Sequence, residues 1–392
     1  MNLKTQFFAS RLSKIPPYLF AELDKLKLKY QSTTEIIDFG EGNPTLPPHP
    51  HLLNFLRKSL NVSENHRYPT YQGKLSVREA ISKWYKERFN VTLDPETEVA
   101  VLIGSKEGVA HLFWALVDRG DKVYVPSPSY PVYLNQTYLA GGIPILIPIM
   151  EKNRFLPELT RIKFSKRSKL FCLNYPNNPT GAVAPYEFYN EIVNLALKYN
   201  FYCFNDNVYS EIYYTTPPHS ILEIPGAKEC CVEFHSLSKT FSICGWRIGF
   251  VVGNADMIQA LLKVKQNVDS GPFGAIQDSV IFALNNWKKF SKLTRQIYKE
   301  NMLYLSDALN KLGWSSQMPE ATFYLWCKIP FKQFRYDSLQ FATFLLKNTG
   351  ILVTPGIGFG KYGEGYVRFA VVLPKAKIKK AIMRLKKLDY KT

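Results

Sequence analysis

Lys239 stands in the stretch HSLSKTFSICGWRIGF, residues 235–250, with Ser236 and Ser238 before it and Arg247 eight residues after it. Gly245 and Gly249 keep the backbone close on both sides of that arginine. An amine flanked by hydroxyls, with a guanidinium nearby, suits a covalent imine to an aldehyde cofactor that carries a phosphate. The lysine would supply the nitrogen, and the serines and arginine would hold the phosphate. A lysine solvated beside a turn has the same spacing, so the assignment depends on the other segments.

In NDNVYSEI (205–212), Asp206 and Tyr209 are three apart where the pattern predicts a strand passing into a helix. Both can then face one pocket. A carboxylate beside a pyridine nitrogen keeps it protonated and makes the ring an electron sink, and the tyrosine hydroxyl can share the ring's phenolate oxygen. The same spacing suits a helix N-cap aspartate beside a packed tyrosine. In NYPNNPTG (174–181), an asparagine held by the following proline can donate to a ring oxygen or close a tight turn. IGSKEG (103–108) lies where a strand becomes a helix, and free amides at a helix N-terminus bind phosphate. Tyr130, in PSPSYP, can stack on a flat ring or pack in its loop. Arg368 is a lone arginine in YVRFAV. If buried it needs an anion, and a bidentate carboxylate is the natural partner; on an edge strand it would face water.

The elements that must position these residues alternate between short apolar runs and helical stretches. VAVLIG (99–104), KVYV (122–125), PILIPI (144–149), KLFCLN (169–174), FYCFN (201–205), CVEFH (231–235) and IGFVVG (248–253) read as strands. SKEGVAHLFWALV (105–117) and EFYNEIVNLALKY (187–199) read as helices between them. This alternation predicts an α/β fold with a mostly parallel seven-stranded sheet covered on both faces. Ligands bind at the carboxyl ends of such strands, where the polar motifs sit. From about residue 285 a long helix, NWKKFSKLTRQIYKENMLYLSDALNKLG (286–313), leads into the strands ATFYLWCKI (321–329), ILVTP (351–355) and YVRFAV (366–371). That texture predicts a smaller α+β domain. The expected division is 1–48 as an N-terminal segment joining the small domain, 49–285 as the large domain and 286–392 as the small one.

The chain has 392 residues, 46% of them hydrophobic and 21% charged, which is ordinary for a globular protein. No apolar run reaches the roughly 20 residues of a membrane helix. MNLKTQFFASRLSKIPPYLF lacks the pattern of a secretory signal, so the cytoplasm is expected. The six cysteines form no C-x-x-C pair and read as buried free thiols; no metal site is expected, and His49 and His51 read as loop residues around Pro50. The net charge of +18 is spread along the chain. Its densest run, KAKIKKAIMRLKK (375–387), carries Ile378, Ile382 and Leu385 at helical spacing and reads as a docked amphipathic helix rather than a nucleic-acid arm. GIGFGKYG (356–363) does not open a βαβ unit and so is not read as a dinucleotide loop.

In this order along the chain, the motifs resemble those of the fold type I pyridoxal-phosphate enzymes, specifically the class I/II aminotransferases with the aspartate aminotransferase-like fold. PPYLFAELDKLK (16–27), IGSKEGVAH (103–111), NYPNNPTGA (174–182), NVDSGPFGAIQ (267–277), ATFYLW (321–326) and TPGIGFGKYGEGYVRFA (354–370) look like the LL-diaminopimelate aminotransferase branch. The departure is GEGNPTLPPHP (40–50), where that branch carries a glycine followed by an acidic residue and proline. The resemblance implies pyridoxal 5′-phosphate as cofactor and Lys239 as the imine lysine and proton shuttle. It implies Asp206 on the pyridine nitrogen, Tyr209 and Asn178 on the ring oxygen, and Tyr130 stacked on the ring. Ser236, Arg247 and the amides of Ser105 and Lys106 would hold the phosphate. Arg368 would take the substrate α-carboxylate, with Gly40 lining the same end. Tyr68, in RYPTYQG, would reach the phosphate of a neighbouring subunit in a homodimer. The substrates implied are an amino acid and a 2-oxo acid, with diaminopimelate, alanine, aspartate and aromatic donors all compatible. A carbon–sulfur lyase or a decarboxylase would share Lys239, Asp206 and Arg247.

Overall fold

The computed structural model describes residues 8–17, 19–30 and 35–388; the first residues of the N-terminal segment and Tyr18 of PPYLFAELDKLK lie outside them. The seven apolar runs are the strands β1 (Val99–Leu102), β2 (Lys122–Ser127), β3 (Ile143–Pro148), β4 (Ser168–Leu173), β5 (Tyr202–Asp206), β6 (Cys231–Ser236) and β7 (Gly249–Gly253). They form one sheet in the order β1-β7-β6-β5-β4-β2-β3, in which β7 alone runs antiparallel to its neighbours.

The period of two in each strand divides its side chains between two apolar layers. Phe171, Leu173 and Cys203 pack into one, with the helix Tyr186–Tyr199. Leu170, Cys172 and Phe204 pack into the other, with the helix Ser105–Leu116. Both faces are therefore buried, and every residue of β1 and β7 is buried, as a parallel sheet between helices requires.

The helix Trp287–Lys311 leads to a three-stranded antiparallel sheet of Thr354–Pro355, Tyr366–Ala370 and Tyr324–Lys328. A separate apolar cluster includes Met302, Leu305, Phe369 and Ile378, and Ile37 and Phe39 join it from far upstream. There Ile37–Asp38 pairs in parallel with Ile351–Leu352, which carries the following loop GEGNPTLPPHP toward the strand bearing Arg368. The basic run is the helix Lys375–Leu385, with Ile378, Ala381, Ile382 and Leu385 buried. Among the described residues no helix is long and apolar enough to cross a membrane.

Three local expectations need correction. NDNVYSEI does not start a helix: β5 ends at Asp206 and the chain turns through Asn207–Glu211. Asp206 therefore has no helix to cap, and its carboxylate is left for another partner. ILVTP is not one strand but two short pieces with different partners. The proline-rich loop ends at His49, whose Nδ1 accepts the His51 N–H (3.2 Å) and caps the helix Pro50–Ser59, so His51 is helical.

Candidate active site

The carboxyl ends of β4, β5 and β6, the N-terminus of the helix Ser105–Leu116 and the strand Tyr366–Ala370 converge on a cavity of about 520 Å³. Lys239, Asp206, Tyr209, Ser105, Lys106, Tyr130, Asn178, Ser236, Arg247 and Arg368 all line it. They come from segments spread over more than 260 residues, brought together by the order of the large sheet and the packing of the small one against it. Gly40 and Tyr68 are not in the lining. Gly40 stands behind it and presents its carbonyl to Arg368, while Tyr68 is 93% exposed on this chain.

β6 runs directly into a single helical turn, Leu237–Thr240, capped by Ser236, whose Oγ accepts the Ser238 N–H at 3.2 Å. This turn carries Lys239 to the cavity. Its Nζ donates to the Gly42 carbonyl at 2.8 Å and lies 3.6 Å from Cys244 Sγ. Five of the six cysteines are buried thiols as expected; Cys244 is only partly buried and lines the cavity.

Asp206 is 6% exposed. Its Oδ2 accepts from the Tyr133 hydroxyl at 2.7 Å, while Oδ1 is buried with no hydrogen-bond partner among the described residues. Burial pushes its pKa up to about 6, against the Tyr133 hydrogen bond that pulls it down. A buried carboxylate with an unused acceptor is costly unless a donor meets it. A protonated ring nitrogen is such a donor, so this residue fits a pyridinium.

The other end of the cavity is cationic. Arg368 is 1% exposed. Its Nη1 donates to Asn178 Oδ1 at 2.7 Å, and Nη2 donates to the Gly40 carbonyl at 2.7 Å and to Thr354 Oγ1 at 3.3 Å. The guanidinium lies over the Tyr324 ring at 4.1 Å and the Phe359 ring at 4.8 Å. Burial lowers its pKa from the ordinary arginine value, with the nearby tyrosines acting in the opposite direction. Asn178 spends its Oδ1 on this arginine and keeps its Nδ2 as a donor. The Tyr209 and Tyr324 hydroxyls are 2.9 Å apart, and burial pushes the Tyr209 pKa well up, so it stays a protonated donor at neutral pH.

The same cavity holds an anion cradle. Gly104 takes φ +81° just before the helix Ser105–Leu116, leaving that helix's first amides to face the cavity. A β-carbon on Gly104 would stand 2.5 Å from Arg247 Nη2, and one on Gly249 would stand 2.9 Å from the Ser105 nitrogen. Arg247 is itself tied by Nη1 to the Cys244 carbonyl at 2.9 Å. Helix amides, guanidinium and the Ser236 cap thus meet where a phosphate would be bound by charge-assisted hydrogen bonds. The residues present fit pyridoxal 5′-phosphate at both its ring nitrogen and its phosphate. Gly104→Ala is expected to weaken cofactor binding by about tenfold or more, since the methyl pushes Arg247 away and the φ is strained. Fluorescence titration of the apoprotein with the cofactor measures it; unchanged affinity would remove Arg247 from the cradle.

Several functional positions escaped the motif reading. Asn174 donates to the Asp206 carbonyl (2.6 Å) and accepts the Asn178 N–H (2.9 Å). It opens the NYPNNPTG motif, so its place in that motif was a usable signal. Tyr133, Tyr324 and Phe359 sit in an α-helix, a strand and a short 3-10 helix respectively, and only their contacts distinguish them from core aromatics.

Residues 34–385 match the family described as aminotransferase class I and II. The chain is 46% identical to LL-diaminopimelate aminotransferase of Aquifex aeolicus over 97% of its own length and 99% of that protein. It is 46% identical to the enzyme of the same name from Maridesulfovibrio salexigens, over 97% and 98%. In structure it is similar to substrate-bound BacF from Bacillus subtilis, with a TM-score of 0.94, 36% identity and 97% of each chain covered.

Proposed function

The chain belongs to the class I and II aminotransferases, and from that premise we propose that it moves an amino group from LL-diaminopimelate to a 2-oxo acid, best 2-oxoglutarate, with pyridoxal 5′-phosphate as cofactor. The observation that carries the mechanism is a single cavity holding Lys239, the unused Oδ1 of Asp206 and the buried guanidinium of Arg368. When bound, the cofactor supplies a carbonyl that condenses with amines and a protonated ring that accepts the electron pair left at the substrate α-carbon.

The residues divide the remaining work. Arg368 would clamp the substrate α-carboxylate and so point the Cα–H bond toward Lys239. Lys239 Nζ would hold the cofactor and would carry the proton between the substrate Cα and the cofactor's C4′, the carbon on the far side of the shared nitrogen. Asp206 Oδ1 would accept the hydrogen bond of the ring nitrogen and keep it protonated. Tyr209 and the free Nδ2 of Asn178 would donate to the ring oxygen. Tyr130 would stack on the ring, while Ser236, Arg247 and the amides of Ser105 and Lys106 would hold the phosphate. The exposure of Tyr68 suits a residue completed by a second copy of the chain, so the working unit we infer is a homodimer in the cytoplasm.

The narrower assignment rests on the similar enzymes named above and on the cavity's acidic lining. Asp24 and Glu41 line it together with Asn43, which suits a donor bearing a second ammonium group. A donor screen against 2-oxoglutarate tests it. LL-diaminopimelate is expected to exceed alanine, aspartate and phenylalanine by at least about tenfold in kcat/KM. Good alanine or aromatic turnover with none from LL-diaminopimelate would sink the narrower assignment and leave the transaminase standing. Pyruvate or ammonia released without an added keto acid would point to a lyase.

A further inference from the structure

Glu233 lies in the middle of β6, fully buried and outside the cavity lining. Strand pairing sets it opposite Asn205 of β5, on the face away from Asp206 and Phe234. Its Oε1 accepts from the Tyr85 hydroxyl at 2.5 Å and from Asn207 Nδ2 at 3.0 Å, and stands 3.0 Å from His235 Nε2. Its Oε2 accepts from Asn205 Nδ2 at 3.0 Å and from the Ile221 N–H at 3.1 Å. An isolated carboxylate in this position would be severely destabilising, so five converging donors mark a built network. Burial would raise its pKa, but the bonds from His235, Tyr85 and Asn205 outweigh it and leave the value lowered.

The destinations of these bonds give the network its meaning. Asn205 and Asn207 are the two residues flanking Asp206, and both are tied to this one carboxylate. Because side chains alternate along a strand, fixing both flanking residues from below fixes the direction of Asp206 above. Asn205 also accepts the Tyr175 N–H at 2.9 Å and donates to the Tyr175 carbonyl at 3.1 Å, which clamps the loop carrying Asn178. His235 immediately precedes Ser236 and the turn bearing Lys239. We propose that Glu233 is a positioning residue that holds three cofactor-facing segments in mutual register: Asp206, the Asn174–Asn178 loop and the Ser236–Lys239 turn. It touches neither substrate nor cofactor and acts through the asparagines. The proposal rests on the cofactor reading above.

Glu233→Gln keeps the volume, removes the charge and turns one acceptor into a donor facing other donors. The wild type is first loaded with pyridoxal phosphate and its visible band is titrated with pH. In the variant the titration midpoint is expected to move down by about half a unit or more, because an anion behind the site is gone. Cofactor affinity and kcat are each expected to fall about tenfold, with the donor KM changing less than about twofold. In the apoprotein, amide hydrogen exchange is expected to rise at 174–178 and 205–209. Leu309→Ala, in the other apolar cluster, is the control for a purely structural loss. It should lower Tm without moving the band. Tyr85→Phe removes one donor and should shift the same readouts in the same direction by less. A Glu233→Gln protein with wild-type midpoint, cofactor affinity and exchange overturns the proposal. If that variant does not fold, wild-type values in Tyr85→Phe overturn it. A wild type that gains no band with added cofactor defeats the cofactor reading itself, and this proposal with it.

Discussion

Lys239→Ala is expected to lower kcat by more than roughly 10⁴-fold and to abolish the visible band of the lysine-bound cofactor. Two functions are lost together, the covalent hold and the proton carrier at Cα, so the loss exceeds that of a single hydrogen bond. The fold should survive. Lys239 sits in one short, largely buried helical turn, but among the described residues its Nζ is tied only to the Gly42 carbonyl and the Cys244 thiol. Removing it should change Tm by no more than a degree or two, while the phosphate cradle around Gly104 and Arg247 still binds cofactor noncovalently. Spectra, dialysis and single-turnover rates separate these outcomes. A variant that keeps the band would move the covalent role elsewhere.

Asp206→Asn should divide stability from activity. Asp206 has its carboxyl raised from 3.8 to about 6 by burial. A carboxyl that holds its proton more tightly folded than unfolded makes the native state lose stability as pH rises from 3.8 through about 6. The full penalty above that range is about 3 kcal/mol, at about 1.4 kcal/mol per pH unit. Asparagine carries no such penalty and can still accept from Tyr133. The apo variant should therefore melt several degrees above apo wild type at pH 7.5, with the gap closing near pH 4. The loaded variant should be slower by roughly 10³-fold, because an amide cannot hold the ring nitrogen's proton as an anion does. Paired melting curves and rates check both halves. Equal melting at pH 7.5 would show that the carboxylate is already compensated in the apoprotein, and near-normal turnover would remove Asp206 from the ring.

The same residue shows how far motif reading reaches. Asp206 could be chosen from its place after an apolar run, but the helix expected beyond it is a turn. The alternatives open in sequence, an N-cap or a ring partner, are separated only by seeing Oδ1 buried without a donor. Arg368 had the same ambiguity between an edge and a buried strand, and the stack of Tyr324 and Phe359 around it resolves it. The resemblance implies Gly40 in the lining, whereas it supports Arg368 from behind through a carbonyl, which no side-chain pattern encodes.

The alternation of strand and helix, the apolar period that buries both sheet faces, and the identity of the reactive groups at strand ends are all legible along the chain. These depend on neighbours within about ten residues, where backbone geometry and side-chain type suffice. The strand order, with β7 inserted antiparallel between β1 and β6, brings residues 104, 206 and 239 together, and the packing of the smaller sheets against it adds residues 40 and 368; neither is legible along the chain. The tertiary structure also decided which donors meet which acceptors, from Asn178 on Arg368 to the five bonds on Glu233. Such partners lie far apart along the chain, and the burial that sets their charge and their need for each other exists only after the layers have packed.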